Sequence, residues 1–200
     1  MMPNAAIVPP AQNAVLLSVW FDVDQISSSL GYEVNVIPAA VAPSDTPNPN
    51  PRFGRRAGAL YFMQGEQLQL EVVAHSLGRA SDFESFRILE CCIMTRPQLV
   101  ELALACPVMK FAAPSPFVQP NGMTSYTLPL DFCDQGSVRV GDDLTIRQRW
   151  NQCLDVCRAN GRWELSFVLM VAIVRSDERK EQIRVFTFDP ESEVGSTGLM

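Results

Sequence analysis

The sequence predicts an all-β protein: an antiparallel β-sandwich, jelly-roll-like, with one short helix near 96–105. Three observations predict it. Apolar residues recur at every second position through much of the chain, roughly nine such runs are separated by turn residues, and one capping pattern marks a helix. The 200 residues fit one ordinary domain. Its expected span is 14–190, with a flexible N-terminus at 1–13 and a flexible C-terminus at 191–200.

The strands follow in order. Leu17, Val19, Phe21 and Val23 line one face of a first strand. Glu33–Ile37 and Gly58–Met63 are shorter candidates. Leu68, Leu70, Val72 and Ala74 alternate with Gln67, Gln69 and Glu71, the pattern of a half-buried antiparallel strand. In Phe86–Met94 the same alternation puts Phe86, Ile88, Cys92 and Met94 on one face, taken as the core face. Ser125–Leu130 is another short run. Leu144, Ile146, Gln148 and Trp150 alternate with Thr145, Arg147 and Arg149. Trp163–Arg175 is apolar on both faces in its second half, as suits a central strand. Ile183–Phe188 ends the series. The first strand, Val15–Val23, and the last, Ile183–Phe188, are expected at sheet margins.

The helix rests on Thr95-Arg96-Pro97-Gln98. Thr95 can cap the Gln98 amide and Gln98 can reach back, with Pro97 at the start. Leu99, Leu102, Ala103 and Cys106 then share a helical face, and Pro107 stops it. Prolines make loops of Pro38–Pro51 and Ala112–Gly122.

The formal net charge is −6, and the basic residues are 14 Arg with only Lys110 and Lys180. That balance argues against nucleic acid and against an anionic membrane as partners. No basic residue precedes Arg52, so the N-terminus lacks a secretory n-region. The longest apolar run, Phe167–Val174, is far short of the ~20 residues that span a bilayer. A cytoplasmic location follows as an expectation. Cys91, Cys92, Cys106, Cys133, Cys153 and Cys157 are then expected to be reduced and mostly buried.

The chemistry available is sparse. His75 is the single histidine, at a strand end on the polar face, and reads as a surface residue. No nucleophile elbow, P-loop or dinucleotide fingerprint is present, and no catalytic residue is assigned. Cys153 and Cys157 lack the second knuckle of a zinc site. Asp22 and Asp24 project from one side of a strand end, and Asp45, Asn48 and Asn50 lie in the proline-rich loop. Oxygen ligands of this kind suit calcium, so Asp22, Asp24 and Asp45 form a candidate calcium site. The other reading of the pair is a charged strand edge that deters pairing.

Five segments carry a family resemblance. LLSVWFDVDQI at 16–26 resembles the opening strand of the PixA/AidA family of bacterial inclusion-body proteins, and TPNPNP at 46–51 stands where that family has an Asn/Pro-rich loop. GEQLQLEVVAHSL at 65–77 is similar to its Gly-Asp strand segment, with Glu66 in place of Asp and Leu70-Glu71 in place of Trp-Arg. RWELSFVLMVAIV followed by VFTFDP at 185–190 is similar to its closing strands, with Phe186, Phe188, Asp189 and Pro190 at the signature positions. The resemblance implies a cytoplasmic, self-associating sandwich and transfers no catalytic residue. It favours a non-enzymatic accessory or self-assembling protein, a homo-oligomer. The alternative is a sandwich that binds carbohydrate or another small molecule, with or without calcium. An enzyme is the third class.

Overall fold

The computed structural model describes residues 14–36, 60–77, 82–101, 109–117, 124–157, 161–176 and 181–195. Its strands are β1 (Ala14–Asp22), β2 (Gly31–Val36), β3 (Leu60–Met63), β4 (Gln67–Ser76), β5 (Phe83–Pro97), β6 (Leu99–Glu101) and β7 (Met109–Phe111). They continue with β8 (Ser125–Thr127), β9 (Phe132–Val140), β10 (Asp143–Trp150), β11 (Leu154–Asp155), β12 (Gly161–Arg175), β13 (Gln182–Phe188) and β14 (Glu191–Gly195). The first sheet runs β2-β1-β4-β10-β9, with β11 also on β4. The second runs β3-β14-β12-β5-β8, with β13 beside β12. Pairing is antiparallel except at β1–β4 and β14–β3. The chain crosses repeatedly between the two sheets, giving a sandwich-like arrangement.

The alternating apolar rows face one another across a single core. Leu17, Val19, Phe21 and Val23 are each at most 2 % exposed, and Leu68, Leu70, Val72 and Ala74 join them from β4. From the second sheet come Trp163, Leu165, Phe167, Leu169, Val171 and Ile173 of β12. Phe21 of β1 meets Phe86 of β5 edge-on at 5.6 Å and stacks on Phe186 of β13 at 4.6 Å. Aromatic pairs in these geometries stabilise by ~1 kcal/mol beyond their buried area. They lock the sheets face to face.

Residues 96–101 are extended, not helical. The residue before a proline is disfavoured in the helical region, and Arg96 precedes Pro97. Thr95 Oγ1 donates instead to the Pro114 carbonyl at 2.9 Å, and β12 pairs with β5 out to Pro97. The rest of the expected helix, 102–105, lies outside the described residues. No described helix is long and apolar enough to cross a membrane.

Three further expectations change. The C-terminus expected to fray from 191 instead carries β14, held between β12 and β3. Strand β1 is interior, between β2 and β4, whereas β13 lies at a margin. A bulge between Ile88 and Glu90 reverses the faces of β5, so Cys91 and Ile93 point into the core while Cys92 and Met94 point out. The thiols are therefore not mostly buried. Of the five described, all free, only Cys91 is buried and Cys153 is exposed; Cys106 lies outside the described residues. The N-terminal 1–13 and the loop Pro38–Pro51 also lie outside them.

Candidate functional site

The outer face of the first sheet collects the polar half of its alternating strands. Register makes neighbours of Glu33, Ser18, Glu71 and Arg149 in one row across β2, β1, β4 and β10. The next row holds Trp20, Val73 and Arg147. The row beyond holds Asp22, His75 and Thr145. The first two rows, with His75 of the third and Gln135 of β9, line much of an open cleft of about 650 Å³. That volume is within the usual range for a small-molecule site.

Glu71 is the floor of the cleft and is only 2 % exposed. Its Oε1 accepts from Arg149 Nε at 3.2 Å and NH2 at 2.8 Å. Its Oε2 accepts from Arg147 NH1 at 3.2 Å and from Ser18 Oγ at 3.3 Å. Both oxygens are satisfied, which is what allows a carboxylate to be buried. The five N–H groups of each guanidinium are only partly used by these bonds. The remaining donors belong to side chains that stay partly open to solvent.

Trp20 sits opposite Gly31 in the β1–β2 register. A Cβ at Gly31 would fall within the Trp20 indole, so the ring lies flat against the β2 backbone and is half-buried there. A glycine at this position is what lets the ring lie down.

His75 Nδ1 is 3.0 Å from Thr145 Oγ1. Burial pushes its pKa below the ordinary value, and the Arg147 cation lowers it further, partly opposed by Asp22. Burial and the Arg147 cation both favour the neutral ring. It is half-buried in the cleft and not a plain surface residue.

The candidate calcium ligands are placed differently. Asp22 Oδ1 accepts from the Asp24 amide at 2.8 Å, an Asx turn that closes the end of β1. Asp24 Oδ1 accepts from Arg175 NH2 at 2.8 Å, and Arg175 NH1 reaches Asp82 at 2.7 Å. Asp24 thus already has a cation as its partner. Asp45 lies outside the described residues. Among the described residues, no group of three or more His, Cys, Asp or Glu could hold a metal ion.

The sequence reading put Glu71, Arg147 and Arg149 on polar strand faces without bringing them together, and it did not single out Trp20 or Glu33. The available signal was an acidic residue alone on the polar side of one strand and two arginines two apart on another. Only the register, Glu71 opposite Arg149, makes a site of them. No family model matches the chain, and no curated protein and no solved structure matches it.

Proposed function

We propose that this protein acts by binding and not by turnover, and that it takes a saccharide or similar polar ring ligand in the cleft on the first sheet. The observation that carries the reading is the clamp of Arg147 and Arg149 on the buried Glu71. Burying an ion pair rarely adds stability over an apolar replacement. Its usefulness here is to hold two guanidiniums in fixed orientation beside a flat indole. Sugars present apolar ring faces and many hydroxyls, so an aromatic surface beside preorganised donors suits them. The reading invokes no cofactor. A glycan array tests it: wild type should bind at least one member, and Trp20→Ala should lose that binding while keeping its circular dichroism spectrum. Unchanged binding by the variant would refute the cleft as the site.

A second reading is self-association, as the PixA/AidA resemblance implies. Ile183 and Val185 on marginal strand β13 are 62 % and 43 % exposed. Farther along, Thr187 already exchanges main-chain bonds with Ser28 and Leu30, so among the described residues the Ile183–Val185 part of the edge is the part left for a second copy. Light scattering at high concentration tests this. A dimer weakened by Val185→Lys supports it, and a monomer at every concentration refutes it. The free thiols of the five described cysteines support a reducing, cytoplasmic setting for either reading.

A further inference from the structure

The clamp at the floor of the cleft is electrically lopsided. Glu71 carries one negative charge against the two positive charges of Arg147 and Arg149. Glu33, the other acidic residue of that row, stands three strand spacings from Arg149. At ~4.8 Å per strand their backbones are about 14 Å apart, so Glu33 is not a direct partner of the clamp as Glu71 is. Within the clamp itself one carboxylate therefore meets two guanidiniums, a local charge of +1, with Asp22 opposite His75 in the row beyond that of Arg147. Trp20 stands two strands from Arg147, about 10 Å by the same spacing, with the apolar Val73 between them.

We infer that the ligand is an anionic saccharide, a sugar ring bearing carboxylate or phosphate. Its ring lies toward Trp20 and its anionic oxygens meet Arg147 and Arg149. The inference rests on the binding reading above and adds the charge class of the ligand. Guanidinium forks match the paired oxygens of carboxylate and phosphate. Desolvation decides against a neutral ring. A neutral ligand that displaces water leaves the surplus positive charge without solvent and without a partner. An anionic ligand supplies the second counter-charge that Glu71 alone does not.

The test uses the full chain on an array that pairs uronate-, sialate- and phosphate-bearing glycans with their neutral counterparts. Acidic members should bind about tenfold more tightly or better, the effect of one charge-assisted hydrogen bond. The difference should shrink as salt is raised. Arg147→Gln should weaken the acidic members by a similar factor, with its unfolding midpoint measured to exclude a general defect. Arg147→Lys, which keeps the charge but not the fork, should recover part of the loss. Preference for carboxylate over phosphate, or the reverse, identifies which oxyanion the site takes. Equal binding of neutral and acidic members overturns the inference and leaves the binding reading intact. An array on which wild type binds nothing overturns both.

Discussion

Arg149 gives both Nε and NH2 to one oxygen of Glu71, at 3.2 and 2.8 Å, while Glu71 is 2 % exposed and the arginine side chain 33 %. The two ends of this pair are unequal in what each loses when the other goes. Glu71→Gln leaves guanidiniums that water can still reach, and the expected cost is about 1–2 kcal/mol. Arg147→Met with Arg149→Met leaves a buried carboxylate unpaired, and the expected cost is about 3–5 kcal/mol. Urea unfolding of the three proteins checks the order. If Glu71→Gln is the more damaging change, the account of the clamp is wrong.

His75 gives a pH signature with a definite sign. Burial first and Arg147 second hold its folded pKa below the ordinary ~6.5 of the unfolded chain. Above pH ~6.5 neither state is protonated there, and the contribution to stability is full. As pH falls through that value the unfolded chain takes up the proton first, and stability is lost until the folded pKa is passed. Wild type should therefore lose more stability than His75→Gln between pH 7 and pH 5. Parallel unfolding midpoints for the two proteins over that window would count against it.

The strand faces were legible because a period of two needs no knowledge of partners. Leu17, Val19, Phe21 and Val23 went to the core as their spacing requires. What was illegible depends on contacts distant in sequence. Leu89 is the extra residue of a bulge, and one extra residue turns every later side chain of β5 to the other face, Cys92 included. The Thr95 capping pattern is sound local chemistry, but Pro114 and β12 offered Thr95 and its neighbours tertiary partners. Strand β9 gave no signal because most of it is exposed on both faces, so nothing selects alternation. The site failed to appear for the first reason: Ser18 and Glu71 meet through a parallel pairing 53 residues apart.

The thiols separate by position. Burial, with smaller contributions from Cys92 and Glu90, pushes the Cys91 thiol up to about 12, and only thiolate reacts with a disulfide reagent. Cys153 is exposed, and its pKa is raised by partial desolvation and by Asp155. Native protein should label at Cys153 well before Cys91, with Cys91 reacting only at the rate of unfolding. Mass mapping of a short labelling pulse checks this. Early modification of Cys91 would mean that β5 does not hold the bulged register.

Two glycines lie under tryptophans, and they separate a ring that can move from one that cannot. Neither Gly31 nor Gly161 has positive φ, so alanine fits the backbone at both. Restricting the unfolded chain would by itself favour alanine by about 0.4–1 kcal/mol. The added Cβ collides with Trp20 at Gly31 and with Trp163 at Gly161. Trp20 is half-buried at the cleft and can swing toward solvent. Trp163 is 1 % exposed, and its Nε1 donates to the Ala113 carbonyl at 2.6 Å, so its ring has no room to leave. Gly161→Ala should therefore lose about 1–3 kcal/mol through overpacking. Gly31→Ala should stay within about 1 kcal/mol of wild type, because the entropic gain offsets a displaced surface ring. Its tryptophan emission should shift to the red, and it should lose any ligand that depends on Trp20 lying flat. Urea titration followed by fluorescence reads both effects together. A stability loss at Gly31 as large as that at Gly161 would show that the Trp20 ring is fixed in place.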